Sequence, residues 1–312
     1  MESRVFDEAV RRVRRPLRLA VGQASQRSRL AIYTKRTSGS PCAAEIIMKS
    51  SCRLAALLWD VDGTLAETER DGHRVAFNCA FEACGLPWRW DDRYYGPLLR
   101  VSGGFERLLY DMANRTDAPA SLEERAALAR AIHTKKNAYY AELVRSGAIA
   151  LRQGVMALIQ ECRRHELTMG ITTTTSRANV DALLSVHLGA RWREWFAVVV
   201  CGEDVERKKP DPEVYVSAAA ALGVSPHEAL AIEDSPDGAA AASAAGVPVI
   251  VARSTYFAGT PIAGALAVGP GLDERQGWQP ALRPQSDSPN RVGLEDLEAW
   301  WRLTQRAAQS EP

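Results

Sequence analysis

Five short apolar runs, none of them alternating with polar residues, set the frame for this chain: 54–59 (LAALLW), 167–172, 196–201, 229–232 and 248–252. The first four give way at once to Asp60, Thr173, Gly202 and Glu233. A strand that is apolar on both sides needs cover on both faces. Helical stretches lie between the later runs, over 154–165, 177–188, 211–222 and 237–245. Strand alternating with helix predicts an α/β fold, a doubly wound parallel sheet. In such sheets sites form beyond the carboxyl ends of the strands, where Asp60, Thr173, Glu233 and Asp234 fall.

One gap breaks the rhythm. Residues 61–166 contain no convincing strand, while 71–85, 105–115 and 121–146 carry apolar residues at helical spacing. We read this as an inserted helical subdomain, 67–150, over a core made of 54–66 and 151–268. Trp88 and Trp90 are expected to pack inside the insert. The tail, 269–312, is rich in Pro, Gly and Ser until a last amphipathic helix at 294–304. Its Leu297, Trp300, Trp301 and Leu303 are expected to dock on the core.

Charge separates the N-terminus from the rest. The net charge is +1, but residues 1–53 hold 12 Lys and Arg against 4 Asp and Glu, leaving 27 basic and 34 acidic residues elsewhere. This arm reads as a disordered basic segment, a transit peptide, or a stretch absent from the mature protein. We expect a dispensable extension, with Met48 as a place where the compact folded unit could start. Only Tyr33 interleaves with the basic residues, so nucleic-acid binding has no support. No run of about 18 apolar residues exists to span a bilayer. Six scattered cysteines without a CxxC pair suit idle thiols in a reduced compartment. The expectation is therefore a cytoplasmic monomer, or an imported one if 1–53 is a transit peptide.

The chemistry collects at the strand ends. Asp60 can attack phosphorus to form an aspartyl-phosphate. Asp62, two residues on and so on the same side of an extended segment, can protonate the leaving group and later deprotonate water. Gly63 permits a tight exit from the strand, and Thr64 can bond nearby backbone. Taken alone, the tripeptide is equally a helix cap or a calcium site. Thr173 can donate to a phosphoryl oxygen, or 172–176 is simply a polar turn capping the next helix. Lys209 can cancel charge between phosphate and nucleophile, or be a solvated lysine at a helix start. Asp60, Asp62, Glu233 and Asp234 offer hard oxygen ligands of the kind Mg²⁺ takes, and such an ion would relieve carboxylate–phosphate repulsion.

The ordered set Asp60-x-Asp62-Gly63-Thr64, Thr173, Lys209-Pro210 and Glu233-Asp234 resembles the four motifs of the haloacid dehalogenase superfamily. The match covers about residues 54–255. It implies a Rossmann-like core, with the insert as a helical C1 cap. A closer similarity, to the CbbY-type sugar-bisphosphate phosphatases linked to the Calvin cycle, rests on 60–74 (DVDGTLAETERDGHR), 98–107 (LLRVSGGFER), 172–183 (TTTTSRANVDAL) and 208–215 (KKPDPEVY). That resemblance implies removal of one phosphate from xylulose 1,5-bisphosphate. It also implies substrate contacts from Glu69, Arg100, Gly103, Gly104, Arg107, His133, Lys136, Thr174, Ser176, Arg177 and Asn179. Where those caps read Gly-Gly-Lys-Glu-Arg, this chain carries Phe105 in the lysine's place, so one cation facing the substrate is missing.

The sequence reading is thus a Mg²⁺-dependent phosphatase whose partner is a small sugar phosphate. Arg107, after Gly103-Gly104 at an expected cap hinge, would take a second phosphate in bidentate fashion; the alternative is a surface salt bridge to Glu106 or Asp111. His73 and His133 read as surface or core histidines. The rival functions are a β-phosphoglucomutase-like phosphotransferase on the same motifs, and a non-catalytic binding protein on the same fold.

Overall fold

The computed structural model describes residues 53–281 and 290–309. The expected N-terminal extension lies outside the described residues, apart from Arg53, as do Cys42 and Cys52.

Six parallel strands form one sheet: β1 (Ala56–Trp59), β2 (Thr168–Thr172), β3 (Val198–Val200), β4 (Ala229–Glu233), β5 (Val249–Ala252) and β6 (Ala267–Gly269), in the order β3-β2-β1-β4-β5-β6. Successive residues of β1 bury on opposite faces. Ala56 and Leu58 join one apolar layer with Ala231 and Val249, while Leu57 and Trp59 join another with Ile232 and Ile250. Both faces being covered, selection never demanded a polar alternate, which is why the runs read as continuous. The helices are α5 (Val155–Arg164), α6 (Arg177–Leu188), α7 (Glu213–Leu222) and α8 (Pro236–Ala244), numbered after the four of the cap. Strand β6 was not foreseen. Three residues ending in glycine carry too little apolar signal to announce a strand.

The cap begins with a π-helical turn (Thr68–His73) and continues as α1 (Arg74–Ala83), α2 (Asp92–Leu98), α3 (Gly104–Ala113) and α4 (Leu122–Arg145). Its interior is a ring cluster: Trp90 lies 4.7 Å from Phe77, 5.0 Å from Phe81 and 5.6 Å from Tyr95, centroid to centroid. Trp88 packs on Phe81 at 5.7 Å. The unforeseen α2 contains Gly96 and Pro97 and is capped by Asp91, whose side chain accepts from Tyr94 N. Helix α4 opens on a reciprocal Ser121–Glu124 capping box.

The chain crosses between cap and core where Ala66 pairs with Leu151 in an antiparallel bridge. Gly103 and Gly104 do not sit at that hinge. They open α3, well inside the cap, which corrects the expectation from sequence: a Gly-Gly pair marks a backbone need without saying which.

Helix α9 (Leu294–Gln309) closes the far side of the core. Leu297, Trp300 and Trp301 are fully buried, spaced three and four apart on one helical face. Leu303 is 43% exposed and does not dock, because its position rotates it off that face. Trp300 stacks on Trp278 at 4.7 Å, and Trp301 Nε1 donates to His227 O at 2.8 Å.

Candidate active site

Strands β1, β2 and β4 are neighbours in register, with Trp59 opposite both Ile171 and Ile232. The residues that end or follow them, Asp60, Thr173, Glu233 and Asp234, therefore converge at the carboxyl end of the sheet beneath the cap. Between them and the cap lies a cavity of about 700 Å³.

Asp60 is buried and held from two sides. Thr64 Oγ1 donates to its Oδ2 at 2.9 Å, using the side chain rather than the backbone partner expected. Lys209 Nζ donates to its Oδ1 at 2.7 Å, to Glu233 Oε1 at 2.6 Å and to Thr172 O at 2.9 Å. Those three bonds use all of an ammonium's donors, so Lys209 is built in, not solvated. Tyr215 Oη also donates to Glu233 Oε1, at 2.5 Å.

Asp60, Glu233 and Asp234 bring carboxylate oxygens within 4.8 Å of one another, all buried. The one ammonium meets two of these three carboxylates, and the excess negative charge shows in their proton affinities. Burial, then Glu233, pushes Asp60 up to about 7 although Lys209 pulls the other way. Burial, then Asp60 and Glu233, raises Asp234 well above the carboxylate range. Burial disfavours the charge on Lys209, but Asp60 and Glu233 outweigh it and hold the ammonium protonated. A cluster this acidic and this dry fits a hard divalent cation, which would supply the missing positive charge. Gly63 makes the close approach possible: at φ +87°, a Cβ there would lie 2.1 Å from Asp234 Oδ2.

Asp62 faces the same cavity but belongs to a different network. Thr68 Oγ1 donates to its Oδ1 at 2.6 Å, and His73 Nε2 stands 3.0 Å from the same oxygen. Burial works against its charge, yet His73 and the two hydrogen bonds hold its carboxyl well below the usual range. Asp60 and Asp62 thus differ strongly in proton affinity: burial and the crowded carboxylates hold Asp60 high, while His73 and Thr68 keep Asp62 ionised, the form that can take a proton from water.

The cap end of the cavity is cationic. Lys136 is buried over the Phe77 and Tyr140 rings, at 5.3 and 5.4 Å. Among the described residues it makes no ion pair, and it donates only weakly, to Asn137 Oδ1 at 3.4 Å. Burial brings it down to about 8. Burial, then Lys136, brings His133 down to about 4, so its ring is neutral at pH 7. Arg107 is buried too. Its Nη1 donates to Tyr95 Oη at 2.6 Å and to Glu69 Oε2 at 3.2 Å, and its Nε to Leu98 O at 3.2 Å. It is therefore no surface partner of Glu106 or Asp111. Glu106 instead takes Lys208 Nζ at 2.6 Å, a link from cap to core.

Every candidate catalytic, metal and substrate-contact residue lines the cavity except one: Arg100, Gly103, Gly104, Thr174, Ser176 and Asn179 stand there with those already placed. Arg177 does not. It opens α6 after the Ser176 cap and turns its guanidinium onto Asp204. Sequence reasoning missed His73, Thr68, Tyr215 and Lys208. His73 looked like any histidine because the π-helical turn that swings it to Asp62 leaves no mark in residue spacing. Phe105, where a lysine was expected, packs edge-on against His133, centroids 6.4 Å apart.

Comparison with known proteins agrees with this geometry. Residues 54–246 match the haloacid dehalogenase-like hydrolase family. The CbbY protein of Cupriavidus necator is 43% identical over 249 residues, 79% of this chain and 96% of that one. A CBBY-like protein of Arabidopsis thaliana is 34% identical, covering 78% of this chain and 76% of its own. Among solved structures, a CbbY mutant from Rhodobacter sphaeroides in complex with xylulose-(1,5)bisphosphate is similar at TM-score 0.68 and 37% identity, over 78% of this chain and 99% of that one. A β-phosphoglucomutase from Clostridium difficile, at TM-score 0.59 and 20% identity, covers 81% of this chain and 99% of its own and shares the fold. The chain belongs to the haloacid dehalogenase-like hydrolases of CbbY type and is a phosphatase.

Proposed function

We propose that this CbbY-type phosphatase removes one phosphate from a small sugar bisphosphate, such as xylulose 1,5-bisphosphate, through an aspartyl-phosphate on Asp60 and with Mg²⁺ as cofactor. The observation that carries the substrate reading is Lys136, a buried ammonium without an ion pair among the described residues, which faces the cavity beside Arg107. A dry cation with no carboxylate of its own is stabilised by an anion that arrives with the substrate. The core end already holds the group that reacts, so a cationic cap end favours a second phosphate.

In the first half-reaction an Asp60 carboxylate oxygen attacks phosphorus and the ester oxygen leaves. Asp62, in its protonated form, supplies the proton to that oxygen and is left as the carboxylate, with His73 Nε2 at 3.0 Å and Thr68 Oγ1 at 2.6 Å from it. In the second, Asp62 takes a proton from water, the hydroxide attacks phosphorus, and phosphate departs with Asp60 restored. Lys209 and Thr173 stabilise the phosphoryl oxygens as charge builds. Mg²⁺, held by Asp60 and Asp234 with Glu233 beside them, would neutralise phosphate charge, while Asp62, expected among the ligands from sequence, is turned to Thr68 and His73 instead.

The test is phosphate release across a panel of sugar mono- and bisphosphates, with and without chelator, for wild type and Arg107→Ala. A charge-assisted contact to the distal phosphate is worth about 1.5–3 kcal/mol, or roughly one to two orders of magnitude in kcat/KM. The variant should lose that much on a ketose bisphosphate and far less on a monophosphate. Equal losses on both would make Arg107 a cap brace, and full activity in excess EDTA would remove the metal. Return of the phosphoryl group to a sugar in place of release would favour the mutase reaction.

A further inference from the structure

We propose that Arg152 is a positioning residue of this phosphatase, clamping both cap linkers to the loop that carries Asp60 and Asp62. The inference rests on the phosphatase reading and extends it to a residue that touches neither substrate nor metal ligand.

Arg152 follows Leu151, the residue that bridges Ala66 where the chain leaves and re-enters the core, and its own N–H donates to Leu65 O at 2.8 Å. Its guanidinium reaches inward, 12% exposed. Nη1 donates to Gly63 O and to Ala252 O, the latter at 2.7 Å. Nη2 donates to Arg253 O at 2.7 Å and Pro270 O at 2.9 Å. Nε lies 3.6 Å from Glu67 Oε1, on the outgoing linker. Of a guanidinium's five N–H donors, the four on Nη1 and Nη2 each have a backbone carbonyl here, and Nε faces Glu67 as an ion pair.

The acceptors explain what the clamp does. Gly63 stands between Asp62 and Thr64, whose hydroxyl holds Asp60. Ala252 ends β5, and Arg253 leads on to Ser254, which hydrogen-bonds Asp234. Glu67, besides meeting Arg152, accepts Thr255 N at 3.2 Å. One side chain thus joins the nucleophile loop, the loop behind Asp234 and both strands of the hinge. A lysine in its place has three N–H groups and no planar fork, so at least one of the four carbonyls loses its donor and the fork geometry that holds the rest together is gone.

The experiment is Arg152→Lys, read in two ways. Displacing catalytic groups by about 1 Å costs on the order of 10² in rate, so kcat should fall about 10- to 100-fold while KM for the sugar phosphate stays within about threefold. In hydrogen exchange, amides over 60–68 and 252–256 should exchange at least tenfold faster, with those of α1 and α7 unchanged. A KM that rises with kcat held, wild-type kinetics, or exchange that quickens uniformly over the chain would each overturn the proposal. A wild type inactive on the whole panel would refute the substrate reading instead, and the exchange pattern alone would then decide on Arg152.

Discussion

Replacing Lys209 with methionine tests the electrostatic account of the core most directly. The ammonium is 6% exposed and lies 2.7 Å from Asp60 and 2.6 Å from Glu233. At an effective dielectric constant near 20, each contact is worth about 6 kcal/mol in Coulomb energy. Desolvation offsets most of that, and breaking a buried pair by removing one partner costs about 3–5 kcal/mol. At about 2–4 °C per kcal/mol for a domain of this size, the metal-free variant should melt roughly 6–20 °C lower at pH 7.5. The loss has a pH signature. A carboxyl whose folded-state pKa stands above its unfolded value costs stability above the unfolded value, increasingly so as pH climbs to the folded one. Asp60 already stands at about 7 against an unfolded 3.8 with Lys209 present, and losing the ammonium moves it higher. The deficit of Lys209→Met should therefore be largest near pH 8 and shrink toward pH 5, and Asp60→Asn in the same background should recover part of it. The assay is thermal unfolding in chelator from pH 5 to 8.5, for the four members of that cycle. A melting point within 2 °C of wild type at pH 7.5, with no pH trend, would refute the reasoning.

Three further outcomes follow from the same geometry. Asp60→Asn should abolish phosphate release and leave the metal-free melting point equal or higher, since it removes one charge from an overfull cluster; Asp62→Asn should cost about 10²–10⁴ in kcat if its role is proton transfer, and wild-type turnover by either would end the mechanism. Lys136, with its pKa lowered to about 8, loses its charge as pH rises through that value, so kcat/KM for an anionic substrate should fall above pH 8 in wild type; Lys136→Met should lack that limb, and an unchanged profile would place the titration elsewhere. Trp300→Ala should cost about 3–5 kcal/mol in chemical denaturation, because the ring is fully buried against Trp278; a loss below 1 kcal/mol would mean α9 is dispensable.

By itself the sequence determined the elements whose signal is local. Apolar runs buried on both faces marked β1, β2, β3, β4 and β5, and the residues that end them named Asp60, Thr173, Glu233 and Asp234, since side chains at strand ends are placed by the strands. Three- and four-residue spacing marked the long cap helices and the buried face of α9. Tertiary structure alone decided what depends on pairs distant in the chain. Glu69 holds Arg107 across 38 residues, Lys209 reaches Asp60 across 149, and Arg152 finds Gly63 and Pro270 on either side of it. The Gly103-Gly104 pair, expected at a hinge, opens a cap helix, and Leu303 turns to solvent. His73 came to Asp62 through a π-helical turn, and Lys136 gained its lowered proton affinity from burial. Composition and spacing encode which residues are apolar and how often they recur. They do not encode which buried charge ends beside which, because that depends on how the cap folds back over the sheet.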